Sequence, residues 1–133
     1  MTIELTYLTY TAILCLLLWL PYIGAGAMKF GFLTSQDYKA PSPKEHAPWV
    51  ERAHRAHLNL LENLPSFVAL ILIAHVAHIS NETTQMAAAM FFWSRAFQTL
   101  VHWLGTAYLR TLAFFVGWLS QLMIAYQILT FVN

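Results

Sequence analysis

Within the stretch ERAHRAHLNLLENLP, residues 51–65, the side chains of Arg52, Arg55, Asn59 and Glu62 follow one another at intervals of 3, 4 and 3. On a helix that spacing puts all four on one face. A second stripe, Arg95, Gln98 and His102, repeats at 3 and 4, and Arg110 follows in the next segment. Charged groups at membrane depth usually turn toward a bundle interior or a wet cavity and pair with one another. Structural ion pairs, chiefly Glu62 with Arg55 or Arg95, would account for part of the set. They leave a surplus of positive charge, because Arg52, Arg55, Arg95 and Arg110 face only Glu62 and the interfacial Glu51. A ligand bearing carboxylates would balance that surplus, since arginine matches carboxylates in geometry as well as in sign. The expectation is an anion site.

The elements that must position these groups are membrane spans. Of 133 residues, 59% are hydrophobic and 10% charged, with mean hydropathy +0.55. Soluble domains carry about 25% charged residues. Stretches free of Asp, Glu, Lys and Arg cover Leu5–Met28, Asn63–Asn81, Ala96–Leu109 and Thr111–Asn133. A span needs roughly 20 mostly apolar residues. The first and last runs suffice alone. The second suffices if its helix starts earlier, and the third if Arg95 lies inside the span. The reading is an all-α, integral-membrane four-helix bundle, left-handed as such bundles usually are, in a single domain over residues 1–133. Helices are expected at about 5–28, 49–79, 85–104 and 108–131, with a bend at Pro21. Between the first two, Lys29–Pro48 reads as a polar loop containing Pro41, Pro43 and Pro48. The second helix, on the order of 45 Å long, exceeds the bilayer core of about 30 Å. Its first turns should therefore stand at the interface or face protein.

The start carries Glu4 and no Lys or Arg, and its apolar run outlasts the roughly 7–15 residues of a signal core. The first helix is expected to be retained. The single Cys15 can form no intrachain disulfide, and a net charge of +1 argues against nucleic acid as a partner. Lys29, Lys39 and Lys44 in the first loop and Arg110 at the third connection predict that loops 1 and 3 are cytoplasmic, with both termini on the opposite side. Arg52, Arg55, Asn59, Glu62, Gln98, His102 and Arg110 then gather near one depth, with Arg95 closer to mid-membrane.

The run from Glu51 to Pro65 resembles the signature of the MAPEG family, membrane-associated proteins in eicosanoid and glutathione metabolism. That signature is an Arg, then Ala, then an Asn and a Glu three apart, followed by a Pro, at the start of the second helix. The residues here are Arg55, Ala56, Asn59, Glu62 and Pro65. Length, four-helix layout and the hydrophilic first loop agree, so the resemblance spans the chain. It implies a homotrimer, with glutathione bound between neighbouring subunits near the cytosolic face. By position, Arg55, Asn59 and Glu62 match glutathione-holding residues, and Arg95 matches an arginine of the third helix. Gln98 and His102 continue the same stripe and join the expected binding set. Arg110 resembles the arginine that faces the glutathione sulfur in leukotriene and prostaglandin E synthases. A thiol near pKa 8.5 is mostly protonated at neutral pH, and a close cation favours the nucleophilic thiolate. The chain departs from those synthases at four positions. Leu58 stands where prostaglandin E synthase has a second arginine, Thr111 replaces a serine, and Phe114 and His102 fall where tyrosines are expected. Two phenols that would donate to the thiol are thus missing, with His102 as the candidate replacement donor.

The resemblance implies a glutathione-dependent transferase or peroxidase whose lipophilic electrophile enters from the bilayer. The rival class is a non-catalytic membrane scaffold or lipid-binding subunit on the same fold, which the missing phenols favour. No metal is expected. Glu51 and His54 have the Glu-x-x-His spacing of di-iron bundles, but those need the motif twice and two further glutamates. His54 and His57 read as interfacial groups near headgroups, and His75 and His78 as local hydrogen-bonding groups at the far end of the second helix. Pro65 is expected to bend that helix beyond Glu62, as a packing kink that also widens the cavity. Phe91, Phe92, Phe114 and Phe115 could border an apolar substrate cleft but read mainly as packing residues, and Trp49, Trp93, Trp103 and Trp118 read as lipid-facing or belt residues.

Overall fold

The computed structural model describes residues 1–31, 34–40 and 45–131. Its elements are α1 (Ile3–Phe30), α2 (Ser35–Lys39), α3 (Pro48–Val76), α4 (Glu82–Leu104) and α5 (Ala107–Phe131). The four long helices make an all-α membrane bundle in which α4 packs on α5, α3 and α1, and α1 packs on α3. The loop expected across Lys29–Pro48 contains the five-residue α2 and the end of α1. Pro41, Pro43 and Lys44, called as parts of that loop, lie outside the described residues.

Local chemistry accounts for the helix ends. Thr2 caps α1 by accepting from the backbone N–H of Leu5 at 3.3 Å. Pro48 opens α3, where its missing N–H costs nothing and its fixed φ suits the first turn. Asn81 and Thr84 form a capping box, each side chain accepting from the other's backbone N–H. That box starts α4 at Glu82, three residues before the position expected from hydropathy. The second helix stops at Val76 rather than Ile79, because His78 turns left-handed (φ 59°) and the Ile79 N–H returns to the Ala74 carbonyl. Gly105, at φ 79°, ends α4 in the same way and lets α5 begin two residues later.

Among the described residues three helices, α1, α3 and α5, are long and apolar enough to cross a membrane. The fourth, α4, keeps its polar side chains turned inward. Its buried residues include Ala87, Ala88, Phe91, Ser94, Arg95, Gln98 and His102. Small residues at such a face allow close backbone approach, which drives helix association where lipid removes the hydrophobic force. A core of Phe67, Ile71, Ala74, Ala87, Ala88, Phe91 and Ile124 fills the half of the bundle away from the polar stripe. Within it Phe67 and Phe91 stack at 3.9 Å between ring centroids. The half beside that core also holds Glu4, which accepts hydrogen bonds from Ser80 and Thr84. His75 and His78 are exposed there and make no side-chain hydrogen bond among the described residues, contrary to the expectation of local bonding. Their positions at the fraying end of α3 leave them open to the surroundings.

Candidate functional site

At the other end, α3, α4 and α5 enclose a cleft of about 420 Å³. Arg55, Leu58, Asn59 and Glu62 supply the α3 wall, Gln98 and His102 the α4 wall, and Arg110, Thr111 and Phe114 the α5 wall. Six of the seven site residues expected from sequence therefore share one cavity. The seventh, Arg95, lies behind it.

Arg95 is 2% exposed and does not line the cleft. Its Nη1 donates to Asn59 Oδ1 at 3.1 Å and to Gln98 Oε1 at 2.6 Å. The guanidinium lies between the rings of Phe91 and Phe114, 5.1 and 5.4 Å from their centroids. Gly117 makes room on α5: a Cβ there would come within 2.5 Å of Nη2 and 2.8 Å of Ser94 Oγ. Nε and Nη2 are buried with no hydrogen-bond partner among the described residues. A guanidinium can only donate, so the two amides must turn their oxygens toward Arg95. Their N–H₂ groups are then the polar atoms left to serve the cleft. Arg95 thus acts on the cavity through Asn59 and Gln98 rather than by contact.

Arg55, Glu62 and Arg110 are exposed. None makes a hydrogen bond or ion pair with any described residue. The expected ion pairs of Glu62 with Arg55 or Arg95 are therefore not formed. Arg95 is taken up by neutral amides, and Glu62 is left to the cavity. Arg52 leaves the set as well. Its Nε donates to the Trp103 carbonyl at 3.1 Å, capping the end of α4 beside Gly105. A shared face on α3 thus divides by depth: Arg52 holds a helix end, whereas Arg55, Asn59 and Glu62 meet the cleft.

One assignment of the sequence reading changes in the seam between α1 and α3. His57 is buried, not interfacial. Its Nδ1 lies 2.7 Å from the Tyr22 hydroxyl and its Nε2 3.8 Å from Cys15 Sγ. Exposed His54 rests against the Tyr22 ring at 4.7 Å. Helix periodicity assigns position 57 to a different face from 55 and 59, but only the packing of α1 reveals what covers it. Phe114 borders the cleft, the less favoured of its two sequence readings, and also shields Arg95, a role that sequence did not reveal. Pro65 is exposed and does not line the cavity. No group of three or more His, Cys, Asp or Glu able to hold a metal occurs among the described residues.

The arrangement is an open cavity with cationic side chains on two walls, amide donors between them and one carboxylate. It suits a small zwitterion with excess negative charge. No curated protein and no solved structure gives a significant match to the chain. The family model for MAPEG matches residues 7–130, and so the chain belongs to the MAPEG family of membrane-associated proteins in eicosanoid and glutathione metabolism.

Proposed function

We propose that the protein is a membrane-bound, glutathione-dependent transferase or peroxidase acting on a lipophilic electrophile. The observation that carries this reading is the cleft in which Arg55, Glu62 and Arg110 stand together without internal partners. Glutathione offers two carboxylates, an ammonium group and a thiol. Arg55 and the amide groups of Asn59 and Gln98 answer the carboxylates, and Glu62 answers the ammonium. Arg110, from a separate helix, is the cation for the sulfur, favouring the thiolate as the attacking form. The cavity volume falls in the range of small-ligand pockets, about 300–1,000 Å³.

The working unit of this reading is a homotrimer, in which a neighbouring subunit covers the open side of the cleft beside exposed Leu58 and Leu61. The cleft belongs to the cytoplasmic side, at the same end of the bundle as Lys29. Its lipophilic partner arrives laterally from the bilayer.

Calorimetric titration of the purified protein with glutathione, followed by turnover of an aryl halide or a lipid hydroperoxide, tests the reading. Saturable binding with turnover is expected. Absence of saturable heat overturns it, and binding without turnover of either substrate assigns the chain to the scaffold class instead.

A further inference from the structure

His102 stands in the α4 wall of the cleft and is 6% exposed. Its Nδ1 lies 3.0 Å from the backbone carbonyl oxygen of Gln98. A carbonyl oxygen only accepts, so Nδ1 must carry the proton and donate it. In the neutral ring the other nitrogen, Nε2, then bears a lone pair. No described residue donates to that nitrogen. The charged groups facing it are Arg55 and Glu62 from α3 and Arg110 from α5, with Arg95 on its own helix. The arginines are already protonated, and Glu62 is taken up by the ammonium group in the proposed binding mode, which leaves His102 as the free base of the cavity. This corrects its expected role as a donor replacing a phenol: neutral His102, bonded as it is, has no free N–H.

We infer that His102 is a catalytic base, whose Nε2 accepts the proton of the glutathione thiol. The inference rests on the proposed reading of the cleft. The S–H bond breaks, an Nε2–H bond forms, and sulfur keeps the electron pair. With an aryl halide, sulfur bonds to the ring carbon and the halide leaves with its own bonding pair. His102 then gives its proton to water, so one proton and one halide are released per turnover. Arg110 steadies the thiolate, and the Gln98 carbonyl fixes the tautomer and ring orientation of the base. Activation by Arg110 alone would instead send the thiol proton directly to solvent when glutathione binds.

The two routes differ in a quantity measurable without turnover. Calorimetry with glutathione in buffers of different ionisation enthalpy counts protons released on binding, and ultraviolet absorbance measures the thiolate formed. Wild-type protein is expected to form thiolate while releasing no proton. In His102→Gln, whose amide can still donate to the Gln98 carbonyl, glutathione should still bind, more weakly and with the thiolate signal lost. Its kcat/KM with the aryl halide should fall about 10²–10⁴-fold, the range a general base contributes. Added imidazole should restore part of the rate in His102→Ala. Three results overturn the assignment while glutathione binding stands: one proton released per thiolate in the wild type, no thiolate formed at all, or a wild-type rate in His102→Gln. Failure of the wild-type protein to bind glutathione overturns the proposed function and this inference with it. Because the proton count uses wild-type protein, the test survives even a variant that does not fold.

Discussion

Near the start of α1, Glu4 is 3% exposed and accepts from Ser80 Oγ at 2.9 Å and Thr84 Oγ1 at 2.5 Å. Beside it, Asn81 caps α4 with its oxygen and donates to Gln127 with its nitrogen. At the other end of the bundle, Glu62, Arg55 and Arg110 are equally polar but have no partner among the described residues. One end spends its polar groups on holding three helices together, and the other leaves them facing a cavity. Buried polar groups are normally satisfied, because leaving one unpaired costs about 1–3 kcal/mol. Groups kept unpaired at the edge of a cavity are therefore those available to a guest. Position in the bundle, more than residue type, separates structural polarity from binding polarity here.

That contrast can be broken by substitution. The largest expected effect is Arg110→Ala: turnover falls about 10²–10³-fold, as when one electrostatic donor is removed from a reacting centre. The ultraviolet thiolate signal is lost while glutathione still binds, and unchanged turnover would remove Arg110 from activation. Arg55→Ala comes next. Losing a charge-assisted hydrogen bond worth about 1.5–3 kcal/mol weakens glutathione binding on the order of 10–150-fold, with the thermal midpoint unmoved since Arg55 supports nothing internal. Glu4→Ala should do the reverse, lowering stability by about 1–3 kcal/mol through the hydrogen bonds lost from Ser80 and Thr84 to the carboxylate, with glutathione affinity intact in calorimetry. Arg52→Ala sharpens the boundary with the smallest effect. It removes one cap on the Trp103 carbonyl, typically about 0.5–1.5 kcal/mol, seen as faster amide exchange at the end of α4. If Arg52→Ala weakened glutathione binding as much as Arg55→Ala, the division between the two arginines would fail.

Much of the fold was legible because charge-free runs of membrane length are hard to mistake. Their ends were less so. The capping box at Asn81 and Thr84 and the left-handed turn at His78 each shift a helix boundary by three residues, and neither leaves a trace in hydropathy. Spacing also brought Arg55, Asn59, Glu62, Gln98 and His102 to faces that line one cleft. A helical stripe reports azimuth about its own axis, but not which neighbour covers each level. That limit explains why Arg52 and Arg55 looked equivalent, why Arg95 seemed to face a ligand, and why His57 looked interfacial. It also hid Gly117 and the second role of Phe114, apolar residues of α5 that enclose a cation on another helix.

The seat of Arg95 beneath two amides has an electrical consequence. Dissolved ions shield the exposed charges of Arg55 and Arg110 over about 8–10 Å at ordinary ionic strength, but they screen a sealed-in cation much less. The polarity it imposes on Asn59 and Gln98 is carried by oriented dipoles, which mobile salt can scarcely blunt. Raising the salt concentration should thus erode only the arginine share of the attraction, leaving a residual affinity that belongs to the hidden charge.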